Sequence, residues 1–270
     1  MKVGVTTFGF RHLLLDRTRA PSLVSVVQRA GALGFDALQI CENAHPMELG
    51  QAEWEDVMHS AGRLGLEIQL GCKTKDPEVL RRYAERVARL RVPMLRLVLE
   101  RDGAIPTTRS DIDAFLAETV PVLAAYGVRL AIENHFDVSC RVLVEAVVPY
   151  SPSSVGFCVD TANSLRNFEP TETVFDLLGT RAYCYHLKDF RVEREKVGFR
   201  VTGAPLGEGD LDLDRVLGRI LAHDPAPQVF VENWRAGMGD WETDVREDDA
   251  WLRNSLAMLR RRLSATSARL

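Results

Sequence analysis

Short apolar runs alternate along the chain with longer stretches in which apolar residues recur every three or four positions. Runs of the first kind predict strands buried on both faces, and stretches of the second kind predict amphipathic helices packed over them. Eight strand-like runs are counted, at 3–8, 37–40, 66–70, 94–99, 129–132, 155–159, 182–187 and 228–231. Several are rich in β-branched or aromatic residues, which suit the interior of a parallel sheet.

Stop and start signals punctuate the helical stretches. After Pro21 and Ser22, the residues Leu23, Val26, Val27, Ala30 and Leu33 share one face, and Gly34 supplies a stop. Asp76 before Pro77 provides a cap and a first-turn residue, with Leu80, Tyr83, Ala84, Val87 and Leu90 on the buried side. Residues 251–263 form a closing helix through Leu252, Leu256, Met258 and Leu259, ending on Arg260, Arg261 and Arg262, where the helix dipole favours cations. Strand and helix alternating without a linker predict an α/β fold, a single (β/α)8 TIM barrel over residues 1–263, with a frayed tail at 264–270. A doubly wound open sheet is the competitor. It lacks its usual mark, since Phe8-Gly9-Phe10-Arg11-His12 follows the first run in place of a glycine-rich dinucleotide loop.

Composition narrows the function. A chain of 270 residues fits one barrel, and a net charge of −4 gives no basic footprint for nucleic acid, which points to a small-molecule ligand. Cys41, Cys72, Cys140, Cys158 and Cys184 are odd in number and form no C-x-x-C pair, so they read as reduced thiols. The opening Met1-Lys2-Val3-Gly4-Val5 reads as a strand, and no apolar run approaches the roughly 18 residues of a membrane span. A cytoplasmic protein with no membrane partner is expected.

In a barrel the C-terminal strand ends form the active-site mouth. Four of these ends carry metal-ligand residue types directly after an apolar run: Glu133, Asp160, His186 and Glu232. A lone acid in such a place is more often a helix cap or an ion-pair partner. Four at equivalent places in consecutive units are not explained by independent capping. Three carboxylates and an imidazole suit one divalent ion, Mn2+, Mg2+, Co2+ or Zn2+, which can polarise a carbonyl and stabilise an enediolate.

The sequence around these residues resembles the xylose-isomerase-like TIM-barrel superfamily of sugar phosphate isomerases and epimerases over nearly the whole chain. The matching stretches are Ile132-Glu133-Asn134-His135, Cys158-Val159-Asp160-Thr161-Ala162-Asn163, His186-Leu187-Lys188-Asp189, Gly207-Glu208-Gly209-Asp210-Leu211-Asp212 and Val231-Glu232-Asn233. The resemblance implies that the four residues bind one metal and that Glu133 and Glu232 also exchange protons on either side of an enediolate. One departure is Asn163, where many members of the family carry a histidine. Asparagine transfers no proton but can hydrogen-bond a substrate hydroxyl.

Further candidates surround this set. Lys188 and Arg191 can grip a carboxylate, phosphate or anionic intermediate, whereas Arg194 and Lys196 read as solvated charges. His135 stands beside Glu133, Glu42 and His45 follow the second run, and Glu100 and Arg101 follow the fourth. Trp234, Phe8 and Phe10 are candidates for the pocket wall, and Gly207-Glu208-Gly209 for a tight loop beside it.

The leading expectation is a metal-dependent isomerase or epimerase of a carbonyl sugar or sugar acid. The alternative is a lyase, a decarboxylase or dehydratase, acting on a 3-oxo sugar acid. The stretch from Lys188 to Asp212 resembles a branch of the superfamily associated with oxo-sugar-acid decarboxylation. An endonuclease-IV-like nuclease would need more histidines than the six present and a basic surface, and a sugar-binding protein would not need four convergent ligands. A homodimer is expected, with residues 191–203 available to pack on a second subunit.

Overall fold

The computed structural model describes residues 2–100 and 107–267, with side chains described as far as Ser264. In chain order the elements are β1 (Lys2–Thr6), α1 (Arg11–Leu15), α2 (Leu23–Leu33), β2 (Ala37–Ile40), α3 (Gln51–Leu64), β3 (Glu67–Lys73), α4 (Pro77–Val87) and β4 (Met94–Val98). They continue with α5 (Arg109–Ala125), β5 (Arg129–Glu133), α6 (Cys140–Val147), β6 (Val155–Asp160), α7 (Thr171–Leu178) and β7 (Ala182–Leu187). The remainder is β8 (Asp189–Arg194), β9 (Phe199–Ala204), α8 (Leu213–His223), β10 (Gln228–Val231) and α9 (Trp241–Ser267).

Eight parallel strands close into a barrel in the order β1-β2-β3-β4-β5-β6-β7-β10, and β1 seals it by pairing Val5 with both Leu38 and Val231. The helices pack outside it, so the fold is a single (β/α)8 TIM barrel. Local chemistry places the helix ends: Ser22 Oγ accepts from Ser25 N at 3.3 Å, Gly34 adopts φ of +92°, and Asp76 Oδ1 accepts from Glu78 N at 2.9 Å.

Inside the barrel, Ala37, Met94, Ala131, Cys158, Cys184 and Phe230 form one apolar layer. A Cβ on Gly4 of β1 would lie 2.5 Å from the Phe230 ring, so glycine makes room for that ring. Side chains alternate along a strand, and two residues further on each of these strands a polar side chain faces the same interior. That second layer, at the C-terminal mouth, comprises Thr6, Gln39, Arg96, Glu133, Asp160, His186 and Glu232, all 6% exposed or less. Between β6 and β7 the register shifts, with Phe157 opposite Ala182 and Cys158 opposite Cys184. Beyond the shift Asp160 stands level with His186.

Three sequence expectations are corrected. The first strand ends at Thr6, not residue 8, because Thr7–Phe10 turns to bury Phe10 against the body, and Gly9 there fits between Val5 and Leu252. Residues 191–203, offered above as a surface for a second subunit and expected there to be a loop without regular structure, form most of an antiparallel hairpin of β8 and β9 outside the barrel, turned by Glu195 N donating to Gly198 O with Gly198 at φ of +93°. The closing helix runs past residue 263 to Ser267, since Ser264, Ala265, Thr266 and Ser267 contain no helix stop and Ser264 Oγ donates to Arg260 O at 3.0 Å. Residues 268–270 lie outside the described residues. All five cysteines are free and buried. No helix among the described residues is long and apolar enough to cross a membrane.

Candidate active site

His186 is the centre of the mouth. Its Nε2 lies 2.9 Å from Gln39 Oε1, a carbonyl that can only accept, which makes Nε2 a donor and leaves Nδ1 as the nitrogen facing inward, the one that can ligate when the ring is neutral. That Nδ1 is buried and has no hydrogen-bond partner. Around it stand Glu232 Oε2 at 3.3 Å, Glu133 Oε2 at 3.4 Å and Asp160 Oδ2 at 4.0 Å. Donor atoms of Asp160, His186 and Glu232 all lie within 4.8 Å of one another, as do those of Glu133, Cys158 and His186. Such spacings suit donors sharing one ion with bonds of roughly 2.0–2.2 Å.

The carboxylates are individually held. Thr6 Oγ1 donates to Glu232 Oε2 at 2.8 Å. The backbone N–H groups of Ala162 and Asn163 both donate to Asp160 Oδ1 at 2.8 Å, leaving Oδ2 without a hydrogen bond, although Lys188 Nζ stands 3.1 Å away as an ion-pair partner. Asn163 Nδ2 donates to Glu133 Oε1 at 2.9 Å, and Arg96 Nε donates to Glu133 Oε2.

Two buried cations complete the centre. Lys188 Nζ lies 2.6 Å from Glu232 Oε1 and 3.1 Å from Asn163 Oδ1. Arg96, on β4, links Glu133 to Glu42, whose Oε2 accepts from Nη1 at 3.0 Å. Burial pushes the Glu133 carboxyl up, but Arg96 and His186 beside it win and hold it well below the usual carboxylate range. Burial likewise opposes Glu232, which Lys188 and His186 bring down. For Asp160 burial prevails over Lys188 and raises it. Burial disfavours the His186 imidazolium, yet Glu133 lifts this group to about 9.

The structure thus brings together Glu133, Asp160, His186, Glu232, Asn163 and Lys188. Glu42 joins them through Arg96. Glu100 and His135 form an adjacent pair at the mouth, with His135 Nδ1 on Glu100 Oε1 and Lys73 Nζ 3.7 Å from the other oxygen. Arg191 does not enter: it is exposed on β8, and its Nη2 donates to Glu208 O at 2.6 Å. His45 is also apart, at φ of +49° and 3.3 Å from Glu48 Oε1. Phe10 is core packing, and Phe8 and Trp234 are half-buried. Arg101 lies outside the described residues.

Comparison with known proteins identifies the scaffold. Residues 27–255 match the xylose isomerase-like TIM barrel family. The chain belongs to that family. It is 28% identical over 262 residues to a 3-oxo-isoapionate decarboxylase of Pectobacterium atrosepticum, covering 96% of this chain and 95% of that protein. The structure of D-psicose 3-epimerase with D-tagatose from Clostridium cellulolyticum H10 has a TM-score of 0.74 at 14% identity, covering 97% of this chain and 99% of the other. A xylose isomerase-like TIM barrel protein from Mycobacterium smegmatis, solved with magnesium, has a TM-score of 0.69 at 11% identity, covering 95% and 97%.

Three residues that sequence reasoning passed over support this family's mouth here. Gln39 and Arg96 each sit inside an apolar run, two positions after a lumen residue, which is the offset that also separates Ala131 from Glu133. Asp189 accepts from four backbone N–H groups, Phe190 and Gly207 at 2.8 Å and Gly209 and Leu211 at 3.1 Å, tying the Lys188 strand end to the 207–211 loop. Gly209 is required there, since a Cβ would lie 2.2 Å from Asp189 Oδ1.

Proposed function

We propose that the protein is a metal-dependent lyase that decarboxylates a 3-oxo sugar acid, with Glu133, Asp160, His186 and Glu232 as the ligands of one divalent ion. The observation that carries this is the state of Glu133. Both of its oxygens are already engaged, by Arg96 and Asn163, and its pKa is held low. A base that removes a C–H proton works best with a pKa near the working pH, and Glu133 is held well below it, while its remaining lone pairs stay open to a metal. Asn163 offers no substitute, because an amide transfers no proton.

Loss of carbon dioxide from a 3-oxo acid requires no such base. The bond between the carboxylate carbon and C2 breaks, carbon dioxide leaves, and the electron pair passes onto the 3-oxo oxygen as an enolate. Protonation at C2 by water then gives the ketone. Fixed positive charge beside the developing oxyanion stabilises this step, and Lys188, held by Asp160 and Glu232, is placed to supply it. Burial of these side chains keeps the local dielectric low.

The donor set fits a divalent ion. His186 Nδ1 and Asp160 Oδ2 are buried and lack hydrogen-bond partners. Among the described residues, Glu42, Glu133, Asp160 and Glu232 pair with two permanent cations, Arg96 and Lys188, which leaves two negative charges for a divalent ion to balance. When bound, the ion supplies Lewis acidity to the 3-oxo group. The end-to-end similarity to the 3-oxo-isoapionate decarboxylase supports decarboxylation.

Isomerisation or epimerisation is the alternative, favoured by two carboxylates, Glu133 and Glu232, standing 3.4 and 3.3 Å from His186 Nδ1. The test uses metal-loaded enzyme in deuterated water with 3-oxo sugar acids and ketoses. Carbon dioxide release from the acids is expected, together with loss of stoichiometric metal in Glu232→Gln. Deuterium entering a ketose without carbon dioxide release would transfer the protein to the isomerases.

A further inference from the structure

Arg96 is buried to 2% exposure, and its side chain passes over Gly71, where a Cβ would stand 3.0 Å from Arg96 Cδ. Glycine on β3 therefore makes the seat for this arginine. From that seat the guanidinium bonds two carboxylates of different character. Glu133 is sealed in, with 0% of its side chain exposed, while Glu42 lies at the rim with 27% exposed. Among the described side chains bonded into the metal-ligand cluster, Glu42 is the most open to solvent.

Arg96 is the sole hydrogen-bond partner of the Glu42 carboxylate among the described residues. Its backbone is fixed separately. The neighbouring Asn43 Nδ2 donates to Thr7 O at 3.1 Å, and Asn43 Oδ1 accepts from Thr7 Oγ1 at 2.6 Å. Rotation about the Glu42 side-chain bonds can therefore release Arg96 to an incoming group without moving the chain.

Resting on the sugar-acid lyase proposed above, we infer that Arg96 is the anchor for the substrate's carboxylate, and that Glu42 is a stand-in that yields its place when an acid substrate enters. A planar guanidinium matches a carboxylate in two-point geometry. The exchange also preserves charge. Glu42 turns to water as the substrate carboxylate arrives, so the balance among the buried groups is unchanged. A neutral sugar that displaced Glu42 would leave Arg96 balanced by Glu133 alone and would exchange a charge-assisted hydrogen bond for a neutral one, a less favourable state at a buried site. The site thereby selects polyhydroxy acids over the corresponding polyols and ketoses, and the selecting cation is on β4, not in the 188–194 segment.

Calorimetric titration of manganese-loaded enzyme with gluconate and with its neutral counterpart sorbitol tests this. Wild type binds gluconate more tightly than sorbitol. Glu42→Gln removes the competitor's charge and tightens gluconate on the order of tenfold, with sorbitol unchanged. Arg96→Lys keeps a cation but loses the fork, and weakens gluconate by roughly tenfold or more while manganese stoichiometry is retained. Because Arg96→Lys disturbs a buried position, Glu42→Gln at the rim carries the test by itself. Unchanged or weakened gluconate binding in Glu42→Gln overturns the inference, as does equal affinity of wild type for the two ligands. Carbon dioxide release and metal content of the wild type are read separately, so failure of the lyase is distinguishable from failure of the anchor.

Discussion

Gln39 Oε1 faces His186 Nε2 at 2.9 Å from the other side of the barrel mouth. This contact fixes which imidazole nitrogen carries the proton, and hence which one can serve as a ligand. Replacing Gln39 with leucine leaves the fold's volume nearly intact but frees the ring to rotate and change tautomer. Metal affinity is expected to fall about 10- to 100-fold, measured by competition with a chelator of known affinity. An unchanged affinity would show that the ring is oriented by packing alone.

Lys188 lies between Asp160 Oδ2 and Glu232 Oε1 and neutralises part of the charge a divalent ion would neutralise. Lys188→Met should therefore bind metal more tightly, on the order of tenfold, and yet turn over more slowly by roughly a hundredfold or more, because the cation beside the oxyanion is gone. The two effects run in opposite directions, and a structural lesion would lower both.

Metal uptake should depend on pH through His186. In the metal-free protein burial pulls this group down but Glu133 outweighs it and raises it to about 9, above the roughly 6.5 of an unfolded chain. A raised histidine contributes stability that is complete below about 6.5 and is lost as pH climbs through about 9. Only the neutral ring ligates. Loading at pH 7 should release about one proton per ion, and apparent affinity should climb with pH and level off above about 9. Calorimetry in buffers of different ionisation enthalpy counts the proton directly, and a count of zero would contradict the assignment.

Asp189 supports the site from behind by accepting four backbone N–H groups. Asp189→Ala leaves those donors unmet and should cost about 2–4 kcal/mol, read from denaturant unfolding. Gly209→Ala forces a Cβ to within 2.2 Å of the same carboxylate and 2.3 Å of Phe190 O, and should disturb the loop comparably. Wild-type stability in both variants would show that the 207–211 loop holds itself.

How far the chain could be read follows from where each signal lies. The barrel strands and the caps at Ser22, Gly34 and Asp76 were legible because hydrophobic period and capping chemistry are local. Glu133, Asp160, His186 and Glu232 were legible because each follows an apolar run at once. Gln39 and Arg96 escaped notice because one polar residue inside an apolar run looks like an interruption. Only the two-residue offset from Ala37 and Met94, shared with Ala131 and Glu133, marks them as facing the same space. Asp189 was silent for a different reason: three of its four partners are 18 to 22 residues away. Arg191 misled by proximity, since sequence distance from His186 says nothing of the hairpin that carries it off the mouth. Yet the alternation of Phe190 and Val192 with Arg191 and Glu193 was an available strand signal.

The shift in register between β6 and β7 makes the strand lengths on this side of the mouth a matter of odd and even. Had the pairing of Phe157 with Ala182 simply continued, Asp160 would stand opposite Tyr185, and a phenol would occupy the level of the imidazole. Tyr183 is the residue skipped in the pairing. Loss of Tyr183 would thus heal the shift and leave Asp160 level with His186, whereas loss of Tyr185 would set Leu187 opposite Asp160 and draw the imidazole away. The skipped position is a place in β7 where one residue can be lost without moving the imidazole.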